Sequence, residues 1–361
     1  MRPSTKQFLF SIPASKIGLG FAWLGVLIYA ASNSVVTLLV DIGAQAPVSE
    51  GRNAITFGNL LLLGSIISLI PMILLFGKDW NRTKLRNLTL RDWGLMQIAA
   101  LLSSAITPGL FFFALEHSSV TNVVLVSRIE PPLFLLAAAV FLKERVDPRA
   151  LGAGVIALFG AALMISLREN VTGGVFGIGE IAAAGATLSY IASAIVARHA
   201  LGRIPLGIFS IYRTAMGAVT YFVLMSVLQG PQTFRDILSP VILSWVWIYA
   251  IPVVLVGQLA WFVALKHARA SDMSLATSFS PLAGIVFAML LLGEDPGAGF
   301  IPGAVIILLA IFVARMKAPI LQRLRRTWQA RPTYGAGDIA EILVPAAAFP
   351  GATRRAYNGS Y

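Results

Sequence analysis

The chain has 361 residues, of which 57% are hydrophobic and only 12% charged, and its mean hydropathy is +0.80. Soluble domains carry roughly 25% charge to meet water, so soluble-enzyme, disordered, collagen-like and disulfide-scaffold classes are excluded; the absence of cysteine also removes thiolate metal sites and thiol catalysis. The net charge of +12 fits either nucleic acid or the basic inner loops of a polytopic membrane protein, and the positions of the charges decide between them.

Apolar runs predict ten membrane-spanning helices over 17–40, 55–76, 93–115, 121–142, 149–167, 177–199, 205–228, 239–263, 271–292 and 298–315. At about 1.5 Å per residue, most of these can cross a hydrocarbon core of about 30 Å. Lipid offers no partners to backbone N–H and C=O groups, so each crossing is expected to be helical. The first run is too long for a cleavable signal peptide. With residues 1–16 placed in the cytoplasm and the sides alternated, inner segments hold 23 of the 28 Lys and Arg. Outer segments hold only Arg52, Arg168 and Arg235, while Arg128 and Arg213 lie inside spans. That asymmetry predicts a multi-pass protein of the cell (inner) membrane with both termini cytoplasmic.

After the last span comes a basic tail, 316–361. Ile320, Leu321, Leu324 and Trp328 recur at helical spacing among arginines within 319–331. This predicts an amphipathic helix on anionic lipid, followed beyond Pro332 by disorder. Membrane topology therefore accounts for most of the basic charge and anionic lipid for that of the tail, and nucleic acid is not an expected partner.

The segment Ala114–Glu144 returns at an ungapped offset of 150 as Ala264–Glu294, with Ala, Leu, His, Leu, Pro, Ala, Leu and Glu at matched places. The expected organisation is two five-helix repeats, 17–167 and 177–315. Five is odd, so the second repeat enters from the opposite side: an inverted-topology pair, as in many secondary transporters.

With Pro131 and Pro281 inside the fourth and ninth helices, Glu144 and Glu294 at their ends, a Gly/Ala-rich helix after each, and a basic end to the sixth helix at Arg198, the chain resembles the drug/metabolite transporter superfamily in its ten-helix, EamA-like form. The resemblance covers about 17–315. It implies that helices 1–4 and 6–9 surround a solute path, with 5 and 10 peripheral. Relatives often carry a basic residue near the outer start of helix 2, where this chain has Asn59.

Site residues are sought near the bilayer centre, at kinks, and among polar side chains. In Ser127-Arg128-Ile129-Glu130-Pro131-Pro132, the prolines lack N–H groups, so the carbonyls of Ser127 and Arg128 lose their helical donors and the helix bends. A charge at that depth costs roughly 2.5–3.5 kcal/mol and needs a partner or a water-filled cavity. Arg128 is a candidate anchor for an anionic group; Glu130 is a candidate for proton coupling or a cationic group. On a continuous helix they lie about 200° apart, so one is expected to face the cavity and the other a neighbouring helix. Tyr29 and Asn33 in helix 1 share a face, and Tyr190 takes a comparable place in helix 6. Ser278 and Ser280 occupy the repeat positions of Arg128 and Glu130, predicting a site charged on one wall and hydroxylated on the other. Pro131, Pro132 and Pro281 are the expected kinks. Arg213 is expected to snorkel to the inner surface, His117 and His267 to cap helix ends, and Glu144 and Glu294 to organise loops. Small residues at spacing four (Ala153, Ala157 and Ala161; Gly299 and Gly303) predict close helix contact, internal in preference to a homodimer face.

Gly335-Ala336-Gly337-Asp338 matches the GxGD of intramembrane aspartyl proteases but stands in the tail without a partner aspartate, and Asn87-Leu88-Thr89 is a glycosylation sequon in an inner loop. The expectation is an all-α secondary transporter, not an enzyme, with a small-molecule solute and the lipid bilayer as partners and neither cofactor nor metal. The resemblance implies export of an amino acid or similar compound by alternating access. An exchanger for anionic or phosphorylated metabolites and a non-transporting membrane scaffold are the alternatives.

Overall fold

The computed structural model describes residues 14–118, 120–145, 147–167 and 177–315. The tail segment 319–331, the residues beyond Pro332 and Arg168 lie outside them. Every regular element among the described residues is helical: α1 (Ala14–Gln45), α2 (Phe57–Phe76), α3 (Leu90–His117), α4 (Val120–Ser127 and Glu130–Leu142), α5 (Pro148–Ser166), α6 (Ile178–Leu201), α7 (Leu206–Leu228), α8 (Pro240–His267), α9 (Ala270–Ser278 and Ser280–Leu292) and α10 (Phe300–Arg315). Eight are long and apolar enough to cross a membrane, while α5 and α10 contribute the shorter apolar stretches Pro148–Met164 and Phe300–Ala314. The chain is a multi-pass membrane protein whose described residues form an all-helical fold.

Starts and stops follow local chemistry. Thr56 caps α2 by accepting from the Asn59 N–H, and Thr89 with Asp92 forms a reciprocal capping box that starts α3 at Leu90, ahead of the predicted 93. The packing is inverted relative to a soluble domain. Leu74, Val140, Phe141, Phe159, Ile181, Val227, Leu290 and Ile301 stand exposed, a surface that lipid covers and water does not. The largest buried cluster is rich in alanine, including Ala22, Ala99, Ala138, Ala197, Ala264 and Ala276, because small residues let helix backbones approach where lipid gives no hydrophobic drive to associate.

Local geometry repeats at or within two residues of the offset of 150. Helix α4 breaks after Ser127 and α9 after Ser278. Both end in a left-handed residue, Lys143 (φ 55°) and Gly293 (φ 67°), each closing a turn back to Ala138 or Ala288. Both α3 and α8 contain a π-helical stretch, Leu102–Ile106 and Ala250–Gly257. The pairings exchange in the same way: α1 packs on α8 and α9, α6 on α3 and α4, α2 on α7, and α5 on α10. A Cβ at Gly18 would strike the backbone of His267 and Ala268, and one at Gly179 the backbone of His117 and the Cβ of Ser118.

The small-residue stripe is used inside the chain. A Cβ on Gly303 would lie 2.5 Å from the Gly160 carbonyl oxygen, and one on Gly299 2.7 Å from that of Leu163, so α10 lies directly on α5. Ala153, Ala157 and Ala161 are buried as well.

Candidate functional site

The break in α4 is the local event that builds the site. Without N–H groups at Pro131 and Pro132, the chain tightens into a three-residue turn, with the Arg128 and Ile129 N–H groups donating to the carbonyls of Leu125 (3.1 Å) and Val126 (3.2 Å). Glu130 then opens a new helix. The Ser274 hydroxyl of α9 donates to the Pro131 carbonyl at 2.8 Å and ties the two broken helices together at their centres.

Beside this junction lies a cavity of about 340 Å³. Arg128, Glu130, Tyr29, Asn33, Tyr190, Ser280 and Pro281 all line it. The two charged side chains differ from the helical-wheel expectation: the break at 128–129 resets the phase, so both reach the same space. No hydrogen bond or ion pair to a described residue engages the Glu130 carboxylate. Arg128 Nη1 donates to the Ser280 hydroxyl at 3.2 Å, while its Nε is buried without an acceptor. Buried polar atoms are nearly always partnered, so this guanidinium has donor capacity to spare. The N-termini of the second halves of α4 and α9, Glu130 and Ser280, meet at this cavity, where the positive ends of helix dipoles favour an anionic group.

Ser278 is placed elsewhere. It is 4% exposed, its hydroxyl donates to the Ser274 carbonyl at 2.8 Å, and it borders a 20 Å³ crevice behind the break. The break at Phe279 puts it on the helix before Ser280, and only Ser280 also reaches the larger cavity, although both serines border the crevice with Arg128 and Glu130. Pro132 is buried against Gly154 of α5. Sequence reasoning missed Trp261, Thr277 and Thr37 on the cavity wall and Glu294 at its mouth; threonine beside a kink was the available signal, and nothing marked the tryptophan.

Tyr29 also borders a second cavity of about 220 Å³, lined by Ser103, Ser104, Arg213, Thr214, Tyr249 and Gln258 among others. Arg213 does not reach a surface as expected. Its guanidinium lies 5.0 Å over the Phe262 ring, turned into the bundle.

The residues 37 and 294 mark one end of the first cavity, and the opposite end is clamped. Arg198 Nε donates to Glu144 Oε1 at 2.7 Å, its Nη2 to the Ala268 carbonyl at 2.7 Å and its Nη1 to that of Leu265 at 3.1 Å. Glu144 Oε2 accepts the Ala270 N–H at 3.1 Å, at the start of α9. Glu144 therefore joins α4, α6 and the α8–α9 turn. His117 pairs its Nδ1 with the Phe113 carbonyl (2.9 Å) and stacks on the Phe113 ring at its helix end. The amide of Asn59 donates to the Ala54 carbonyl at 3.0 Å. Among the described residues no cluster of His, Cys, Asp or Glu could hold a metal.

The sequence matches the EamA-like transporter family twice, over 16–166 and 177–316. It is 37% identical over 302 residues to a protein of Synechocystis sp. described as an uncharacterized transporter, covering 81% of this chain and 86% of that one. A crystal structure 18% identical in sequence superposes with a TM-score of 0.61 over 85% of this chain and 98% of its own, a likeness of fold alone. The double match and the Synechocystis relative together establish that the chain is a transporter, not an enzyme, and that it belongs to the EamA-like transporter family.

Proposed function

We propose that the protein moves a small amphoteric metabolite, an amino acid or a close relative, outward across the inner membrane by alternating access. In this reading ten helices cross the bilayer as two inverted repeats, 17–167 and 177–315, with both termini cytoplasmic. The matched breaks, left-handed caps and exchanged helix pairings support the repeat, the distribution of basic residues supports the orientation, and export rests on the likeness to the family. A homodimer would have to use a face other than the α5–α10 seam.

The observation that carries the reading is a guanidinium with spare donors and a carboxylate hydrogen-bonded to no described residue, both facing one cavity at a helix break. A carboxylate can take two parallel hydrogen bonds from Arg128, and an ammonium can sit at Glu130. Tyr29, Tyr190, Asn33 and Ser280 supply hydrogen-bonding groups for orientation. Ser278, bonded to its own helix, supports the kink. Two packings of near-equal energy, related by the repeat, would open this midplane site to each side in turn.

The test is flux of radiolabelled amino acids into proteoliposomes. Arg128→Ala should abolish flux while the purified protein keeps its elution profile, and Glu130→Gln should flatten the pH dependence of transport. Wild-type protein that moves nothing would favour a scaffold, unchanged flux in Arg128→Ala would remove the anchor, and a wild-type pH profile in Glu130→Gln would remove proton coupling.

A further inference from the structure

The second cavity contains a charge that the reading above leaves unused. Arg213 projects from α7 into a chamber whose walls are Ser103 and Ser104 on the π-helical stretch of α3, Tyr249 and Gln258 on either side of the π-helical stretch of α8, and Tyr29. π-Helical segments widen a helix locally and recur at functional sites; here both copies border one chamber. The Phe262 ring beneath Arg213 attracts its charge but accepts none of its five N–H donors in the plane of the guanidinium. No hydrogen bond or ion pair to a described residue engages that guanidinium. Three neighbouring polar groups already donate elsewhere: Gln258 to Thr214, Thr214 to the Met72 sulfur, and Ser103 to the Ala99 carbonyl. An arginine at this depth requires an anionic partner or water to offset its desolvation, and among the described residues no carboxylate lines the chamber.

Tyr29 lines both cavities, so Arg213 and Arg128 stand on its two sides. Among the described residues, the Lys, Arg, Asp and Glu side chains lining the two cavities, which share Tyr29 as a wall, are these two arginines, Glu130 and, exposed at the mouth, Glu294. With Glu294 in water at the mouth, the interior holds two guanidinium groups against the one carboxylate of Glu130, an excess of one positive charge among the described residues. A neutral amino acid, itself without net charge, would leave it uncompensated. A solute with two anionic groups and one ammonium would neutralise it.

We propose that the Arg213 chamber is a second anion subsite, and that the solute is a dicarboxylic amino acid lying across Tyr29. One carboxylate meets Arg128, the ammonium meets Glu130, and the second carboxylate meets Arg213. This inference rests on the transport reading above and names its substrate class.

The experiment measures uptake of radiolabelled L-glutamate and L-alanine by proteoliposomes containing wild-type, Arg213→Gln, Arg213→Lys or Arg128→Gln protein. Wild type should prefer glutamate. A lost charge-assisted hydrogen bond corresponds to a rise on the order of 10- to 100-fold in the glutamate concentration for half-maximal uptake by Arg213→Gln, with residual alanine uptake unchanged. Arg213→Lys, which keeps the charge, should recover most of the loss, and this separates a subsite from a folding defect. Arg128→Gln should abolish uptake of both solutes. Alanine moved in preference to glutamate, or equal losses for both solutes in Arg213→Gln, would overturn the second subsite and leave the transport reading standing. Uptake of both solutes unaffected by Arg128→Gln, or no uptake of either by wild type, would overturn the two together.

Discussion

Arg52, before α2, and Asp236, between α7 and α8, meet through Arg52 Nε (2.8 Å) and Nη2 (3.2 Å). The hydrogen bond from Arg52 holds the Asp236 carboxyl below its ordinary value of 3.8. A depressed carboxylate contributes stability that is fully present above its ordinary pKa and is lost as pH falls through the lower folded value. Asp236→Asn should therefore melt below wild type at pH 7, with the two curves converging as pH falls below about 4; a gap that persists in acid would show that the ion pair is not its source. Single residues also mark the limits of the sequence. Arg128 and Glu130 stood out as charges beside a proline and Ser280 by its repeat position, and all three line the same cavity. Arg213 was misread because snorkelling needs only a long side chain, whereas its inward turn depends on Phe262, a tertiary neighbour that spacing does not reveal.

Helix α10 lies so close on α5 that Gly303 has no room for a side chain: a Cβ there would fall 2.3 Å from Met164 Cγ and 2.5 Å from the Gly160 oxygen. Gly303→Val has to push the helices apart, at a cost of about 1–3 kcal/mol for overpacking. The expected result is a lower melting temperature with unchanged solute affinity in the folded fraction, read by thermal unfolding and equilibrium binding of labelled solute; a change in affinity would place α10 in the solute path. The small-residue spacing announced this seam, and the prolines announced the breaks in α4 and α9. The π-helical stretches were invisible beforehand. Ala250–Gly257 is almost wholly apolar, and hydropathy does not distinguish a π turn from an α turn. The same lack of phase information hid that the break at Phe279 leaves Ser280, and not Ser278, on the larger cavity, while both border the small crevice behind it.

For the molecule as a whole, alternating access requires the two ends of the path to be coupled. The Arg198–Glu144 clamp holds the end away from Thr37 and Glu294, and its arginine side chain is only 12% exposed against 28% for the glutamate. Breaking a fully buried pair costs about 3–5 kcal/mol; the partial exposure of Glu144 reduces this to about 1–3 kcal/mol, still enough to move a two-state equilibrium roughly tenfold. The chain contains no cysteine, so a single introduced thiol reports its own position. Thr37→Cys lies on the cavity wall, and Met273→Cys replaces a residue that is 0% exposed, with its sulfur 3.5 Å from Arg198. With a membrane-impermeant maleimide, Thr37→Cys should react in right-side-out vesicles, while Met273→Cys should stay unreactive in inverted ones. Adding Arg198→Gln should raise the Met273→Cys rate about tenfold and lower the Thr37→Cys rate, because opening one end closes the other. If both rates rise together, the clamp is a structural staple whose loss loosens the bundle, and the two ends are not linked through it.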